Sequence, residues 1–581
     1  MTTPIEVFHE CVDDIPVLIA VLSKMRVADL LDQHYPTNGN RTGLSLGQTA
    51  VVWLTYILSQ GDHRLNQVEP WIATHQETLT QCLGCPVEPR EGTDDRLATV
   101  LDYLSVRENW VAFETALNQR VLRVYDLKAQ RVRIDTTSAS SFVKPDGLFQ
   151  LGYSKDHRPD LPQVKIALST LDPLGVPFTV TVVGGQEADD PLYLPEIAQA
   201  RRSVGQRQLT YVGDSKMAAL ATRADLAAHG DYYLCPLSAW QLPTAELDLL
   251  LAPVFAQQQA LTEVHTRREV EEAEPPDLLA QGFEYTVRLC GKEPKGVVPT
   301  WDERRLVVRS LSFAASQEQS LRERLARAQT EIAALNQRKQ GKPVLRSAAQ
   351  AQAAAEQITD GQRVREYLRL TVTRHVQTRV QRAYGDRPAT AVEQEQFTVS
   401  SVVADAVLES AVRRMGWRVY ATNQPATELS LEQAVWAYRE QYLVEQSFGR
   451  LKGCSLSLTP FYLARDARVV GLILLLTIGL RVLTLAQYVV REKLKEQGAT
   501  LTGIYAGQPG RQTARPTTEM LLRAFRGVTL SRITLHTETH WHITPLSDTQ
   551  KRILKLLGLS PRIFAQLLPA ISKTDFQSRE P

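Results

Sequence analysis

Three acidic residues sit where carboxylates could do chemistry. Asp135 closes the alternating run Arg131-Val-Arg-Ile-Asp135 and is followed by Thr136-Thr-Ser138. Asp214 closes the β-rich run that starts at Gln208 and is followed by Ser215-Lys-Met217. Glu445 lies in Tyr438-Arg-Glu-Gln-Tyr-Leu-Val-Glu-Gln-Ser-Phe-Gly-Arg-Leu-Lys452, with Val444, Phe448 and Leu451 as an adjacent apolar stripe. An acid is disfavoured inside a strand, so one at a strand's exit needs a reason. Taken singly, each has an ordinary one. Asp135 could make an Asx turn onto Thr136–Ser138, Asp214 could cap the helix that follows it, and Glu445 could be a solvated residue on an amphipathic helix. Taken together they offer something else. Strand ends are where sites form in α/β sheets, and Asp/Asp/Glu oxygens without cysteine suit a hard divalent cation such as Mg²⁺.

The elements that must position these acids are legible as a change of pattern. Residues 1–125 read as a helical N-terminal domain for dimerisation or DNA contact, with helical spacing over Leu46–Leu58 and Arg96–Tyr125. Then come the strand-like run to Asp135, two β-rich runs at Gln163–Leu171 and Pro177–Val183 joined by Asp172-Pro-Leu-Gly175, and a helix over Leu192–Arg202. A fourth strand to Gly213, a helix over Lys216–His229 and a short strand at Tyr232–Pro236 follow. Three strands and then alternating helix and strand describe a mixed sheet with helices on its faces. Residues 126–240 are its first part. From 241 to 424 the alternation stops. Leu321, Leu325, Ala328, Ile332 and Leu335 make a heptad seam, and Ser347–Gln357 reads as the returning helix of a hairpin. Strand-like runs at Phe283–Leu289, Arg304–Ser312, Glu366–Val372 and Trp417–Thr422 complete an α+β insertion. Residues 425–495 return to the sheet with one long amphipathic helix, Leu429–Lys452, and an apolar helix. Residues 496–581 form a small basic C-terminal region.

The combination resembles the DDE transposases of bacterial insertion sequences. The residues that carry it are Asp135-Thr-Thr-Ser138 after the first strand, Gly213-Asp-Ser-Lys216 after the fourth, and the spacing of Tyr438, Glu445 and Lys452 late in the chain. Gly152-Tyr-Ser-Lys-Asp-His-Arg-Pro-Asp160, Trp301-Asp-Glu-Arg-Arg305 and Ala421-Thr-Asn423 are similar to that family too. The branch concerned splits its core with an insertion before the glutamate helix. The resemblance implies an α/β fold with an RNase H-like mixed sheet flanked by helices, an α+β insertion domain and a helical N-terminal domain. It implies Asp135, Asp214 and Glu445 as catalytic residues and as ligands of two Mg²⁺ ions, with Mn²⁺ as a substitute. Tyr438 and Lys452 are then contacts to the DNA backbone near the scissile phosphate, with Arg439 nearby. Lys155, His157 and Arg158, in a Pro-bounded loop, are either DNA contacts or an ordinary polar loop. Trp301 is either a base-stacking residue or a core tryptophan. The expected partners are double-stranded transposon ends and target DNA, bound by a homodimer in the cytoplasm at the nucleoid. One departure stands out: the family's helix signature has Arg where this chain has Gln441. The alternatives are a catalytically inert end-binding repressor and a nuclease of the same fold that lacks strand transfer.

Composition agrees with these expectations without requiring them. The net charge of +2 over 581 residues conceals a gradient. Residues 1–130 hold 10 Lys/Arg against 17 Asp/Glu, residues 301–390 hold 17 against 9, and residues 500–581 hold 11 against 5. Basic segments of this kind suit a polyanion surface, though ordinary solvated helices carry them as well. Six scattered cysteines fit a reducing compartment, and Cys82-Leu-Gly-Cys85 has no second ligand pair to make a zinc site. The apolar stretch Val469–Val490, interrupted by Arg481 and Gln487, reads as a buried core helix rather than a membrane span.

Overall fold

Alternating apolar residues from Arg131 onward form the strands that the pattern predicts. The computed structural model describes residues 6–37, 39, 41–205, 208–267, 277–291, 299–337, 345–381, 390–461, 463–535 and 538–568. The chain divides into two units, one of Met1–Cys235, Arg288–Trp301 and Ala437–Pro581, the other of Pro236–Val287 and Asp302–Trp436. In the first unit β1 (Arg131–Ser140), β2 (Gln163–Leu171), β3 (Val176–Gly184), β4 (Thr210–Val212) and β5 (Tyr232–Pro236) stand in the order β3-β2-β1-β4-β5. β1, β2 and β3 are antiparallel neighbours, while β4 runs parallel to β1 and β5 parallel to β4. This is a mixed α/β sheet. Every residue of β2 is buried, which makes it the floor of the core. At the β2–β3 turn Gly175 has φ +64, a left-handed backbone that a side chain would strain.

This unit carries the helices α1 (Asp190–Val204), α2 (Leu220–Ala228), α4 (Tyr442–Lys452) and α5 (Asp466–Glu496), and α3 (Leu431–Arg439) leads into it from the second unit. α1 packs on β2 and β3, α4 on β1 and β2, and α5 on β3. α5 is long and apolar enough to cross a membrane, but 94% of its most apolar window is buried inside the protein. The helices Ile15–Lys24, Leu46–Gln60 and Asp94–Leu104 pack around it, so its greasy surface faces other helices. Gly471 permits one of these approaches, since a Cβ there would lie 2.2 Å from the Leu101 carbonyl oxygen.

Three expectations need correction. β1 does not end at Asp135: it runs on to Ser140 because residues 136–140 keep pairing with β2, although β4 accompanies it only through Arg133. The expected single helix Leu429–Lys452 is two helices, α3 and α4, broken at Glu440 and Gln441. The cause is local. Arg133 Nη1 takes the Ala437 carbonyl oxygen at 2.7 Å, and the Gln441, Leu443 and Val444 amides turn to carbonyls only three residues back. Finally, the N-terminal stretch is not purely helical. Glu6–Cys11 pairs with Thr529–Leu535, which pairs in turn with Glu538–Ile543, a long-range sheet with no local signature.

The second unit holds the strands Thr262–His265, Leu278–Cys290, Thr300–Ser310 and Trp417–Thr422, adjacent in that order. The helix hairpin is Leu311–Leu335 and Ala348–Gly361. The seam residues Leu321, Leu325, Ala328 and Ile332 are buried in one cluster with Ala351 and Ala355. A two-stranded ribbon, Leu368–Gln381 with Thr390–Val403, packs on this hairpin through Leu368, Phe397 and Val399.

Candidate active site

The parallel register of β1 and β4 puts Arg133 opposite Val212. Two residues further along each chain come Asp135 and Asp214, so the two acids leave neighbouring strands at the same level. Asp135 Oδ1 accepts the Thr136 amide at 2.7 Å and the Lys155 ammonium at 3.2 Å. Asp214 Oδ1 accepts the Lys216 amide at 2.9 Å and the Tyr193 hydroxyl at 2.6 Å. Burial pushes the Asp135 carboxyl above the ordinary range; the Lys155 charge pulls it back and the Asp214 charge pushes it further up. Tyr193, buried on α1, has its phenol driven well up, first by burial and then by the negative charges of Asp214 and Asp135. The two acids therefore feel each other and share Tyr193 as a neighbour.

Glu445 is exposed on α4 and is not grouped with them. Among the described residues, no three His, Cys, Asp or Glu side chains stand close enough together to hold a metal ion. Its helix is nonetheless laid along the relevant face. Side chains alternate across a strand, so Arg133, Asp135 and Thr137 share one face of β1. Arg133 reaches Ala437 and Glu440 at the α3–α4 break, the latter at 3.1 Å, and Thr137 Oγ1 accepts the Lys452 ammonium at 2.8 Å near the end of α4. Asp135 lies between those two contacts along β1, as Glu445 does along α4. Arg133 is fully buried and is neutralised by Asp172, whose Oδ1 it meets at 2.6 Å. Sequence reading missed this clamp, although the alternation of β1 placed an arginine on an inward face.

The other expected residues are distributed as follows. Lys452 is engaged inside the protein, with Asp156 Oδ1 at 2.6 Å and the Ser138 carbonyl at 3.1 Å. Lys155 is likewise occupied by Asp135 and by Thr136. His157 is exposed at φ +57, Arg158 is exposed and paired with Asp160, Arg439 is exposed and Tyr438 is half-buried. Trp301 is buried, and its indole N–H donates to the Tyr233 hydroxyl at 2.9 Å. As placed, it packs as a core residue and presents no open face to a base. Gln441 holds both side-chain amide atoms buried without a hydrogen-bond partner, a state that typically costs about 1–3 kcal/mol. Tyr193 and Asp156 were not anticipated. Nothing in the helical pattern of Leu192–Arg202 marks Tyr193, whereas the charged run Lys155-Asp-His-Arg158 could have drawn attention to Asp156.

The donor set is anionic and all oxygen, which fits Mg²⁺ or Mn²⁺ in kind. The close approach of Asp135 and Asp214, supported by an ammonium and a phenol, also suits a site for added positive charge. No family model and no curated protein matches the chain. Among solved structures it is similar to a chain from the piggyBac transposase synaptic complex with hairpin DNA, at 9% identity and a TM-score of 0.34, covering 97% of this chain and 86% of that one. A likeness at that score and identity carries no argument about this chain. The fold and the site are those of a mixed α/β protein with Asp135 within β1 and Asp214 just past the end of its parallel neighbour β4.

Proposed function

We propose that this chain is a DDE transposase of the insertion-sequence type, with a ribonuclease-H-like core, that cuts DNA at transposon ends and joins the freed 3′ ends to target DNA. The observation that supports the reading is the similar level of Asp135, within β1, and Asp214, two residues past the register pair Arg133–Val212 on the parallel neighbour β4, with α4 packed on β1 and β2. On this reading Asp135, Asp214 and Glu445 would hold the two Mg²⁺ ions through their carboxylate oxygens. When bound, two Mg²⁺ ions supply an activated oxygen nucleophile and stabilise charge on the phosphoryl and leaving oxygens. The chain's own groups do the rest. Tyr193 holds one Asp214 oxygen by its hydroxyl and leaves the other for a ligand. Lys155 and Lys452 supply positive charge beside the carboxylates, and each can turn from its present acid partner to a backbone phosphate as a point charge.

For Glu445 to join the two aspartates, α4 has to shift or its side chain has to reorient. The broken α3–α4 junction, with its unsatisfied Gln441 side-chain amide, is the natural place for that movement. The reading is tested with Asp135→Asn: Mg²⁺-dependent cleavage of transposon-end DNA should be lost by at least about a thousandfold while DNA binding survives, as expected when a transition-state contact is removed. Undiminished cleavage by that variant rejects the assignment. Nicked ends that are released and never joined to target DNA identify a nuclease instead.

A further inference from the structure

The connection between β1 and β2, residues 141–162, places more aromatic surface in water than its packing requires. Phe142 and Tyr153 are 77% and 80% exposed, and Leu151 is 51% exposed. The backbone that presents them is well fastened. Phe149 is buried edge-on against Phe461 at 5.4 Å, and Asp466 Oδ2 accepts the Leu148 amide at 2.9 Å. The Tyr153 carbonyl accepts from Gln163 Nε2 at 2.8 Å, and the Lys155 amide donates to Ser138 Oγ at 2.9 Å. Ordering a connection this thoroughly costs entropy, yet the two rings gain no burial from it.

The position of the rings is as informative as their exposure. Tyr153 stands two residues from Lys155, no more than about 7 Å along the chain, and the Lys155 ammonium lies 3.2 Å from Asp135. The Arg158 guanidinium stands 5.8 Å from the centre of the Phe142 ring, and Lys144 is exposed with no partner among the described residues. The acids of the connection are engaged: Asp156 by Lys452, Asp160 by Arg158 and Asp146 by the Gly147 amide. His157 keeps a left-handed backbone that is unfavourable for its type, a form of strain found at functional sites. What this surface offers is the exposed rings of Phe142 and Tyr153, with the Arg158 guanidinium over the Phe142 ring and the exposed Lys144 on the same connection. That combination binds unpaired nucleotides, whose bases stack on aromatic rings with little regard to sequence and whose phosphates meet the cations.

We propose that Phe142 and Tyr153 form a stacking shelf for unpaired nucleotides of the DNA strand that passes Asp135 and Asp214. The inference rests on the reading of those carboxylates as a phosphodiester-cutting centre. It gives the β1–β2 connection a task distinct from phosphate contact: it holds strands already parted beside the scissile bond.

The test uses the full chain with two probes in Ca²⁺ buffer, a blunt duplex and the same duplex ending in a short unpaired arm that carries 2-aminopurine. The wild type should bind the armed duplex about tenfold more tightly than the blunt one and quench the 2-aminopurine, the scale expected of one stacked base. The double variant Phe142→Ala/Tyr153→Ala should lose both the preference and the quenching while its blunt-duplex affinity stays within about twofold. Tyr153→Trp should keep both. A wild type without the preference, or a double variant that retains it, overturns the shelf. A double variant that turns a dimer into a monomer with the preference intact overturns it too, because the rings then cover a second copy of this chain. Mg²⁺-dependent cleavage measured on the same preparations separates the two failures. Asp135-dependent cleavage without a ring-dependent preference removes the shelf alone, and absence of such cleavage removes the reading beneath it.

Discussion

An ammonium 3.2 Å from Asp135 Oδ1 does for that carboxylate part of what a bound cation would do. On the proposed function, Lys155 and a divalent ion would compete for the same oxygen. Lys155→Met keeps the length of the side chain and removes the competitor. In the absence of DNA it should bind Mn²⁺ about fivefold more tightly than the wild type, since a part-exposed ion pair is worth about 1 kcal/mol at most. Titration followed by the electron paramagnetic resonance of free Mn²⁺ reads this directly. An unchanged or weaker affinity means that Lys155 does not occupy the cation's place. The two aspartates were legible in the sequence because both ended β-rich runs. Tyr193, which holds Asp214, was not, since a tyrosine on an amphipathic helix looks the same whether it packs or donates a proton to an active-site acid.

At the scale of elements, helices around the sheet bring buried acids together. Glu114, on the helix Arg107–Val124, meets Arg481 of α5 at 2.8 Å with both side chains almost wholly buried. Glu196 of α1 accepts the Thr179 hydroxyl of β3 with one oxygen and has no partner for the other. Burial pushes Glu196 up from its ordinary 4.5 to about 7, with Thr179 and Thr181 pulling back. It therefore holds its proton more tightly folded than unfolded. Stability is lost as pH rises from about 4.5 to about 7, and the penalty is complete above that range. Glu196→Gln removes the charge and keeps the shape. It should be more stable than the wild type by up to roughly 3 kcal/mol at pH 8, with the gap closing toward pH 5. Urea midpoints at the two pH values decide it: an equal gap at both would show that Glu196 does not titrate with folding. Element types and their order along the chain were readable because period-2 and period-3.6 patterns are local properties. The break between α3 and α4 was not, because its cause is Arg133, roughly three hundred residues away along the chain, taking the Ala437 carbonyl. The sheet that joins Glu6–Cys11 to Thr529–Leu535 escaped for the same reason, being a pairing between chain ends.

Across the whole molecule the charges nearly cancel, at +2. The basic excess in residues 301–390 and 500–581 was legible, but what it meets was not, because a count of lysines and arginines does not say which are spent on acids. Arg305 faces Glu303 and Glu246, and Arg374 faces Glu395. A phosphate that approaches Asp135 and Asp214 without a divalent ion meets the two carboxylates and Lys155, which is already paired with Asp135. Like charges at such a distance oppose binding, and a divalent ion reverses that sign. Two consequences follow for the complete chain. Adding millimolar Ca²⁺ should tighten the wild type's binding to transposon-end DNA by about fivefold, while Asp135→Asn/Asp214→Asn should bind more tightly than the wild type in EDTA and gain little from Ca²⁺. Fluorescence anisotropy at constant ionic strength measures both, with the salt held fixed because the phosphate contribution varies steeply with it. If the wild type and the double variant respond to Ca²⁺ alike, the ion acts elsewhere on the protein or on the DNA itself, and the two aspartates are not the gate through which the backbone must pass.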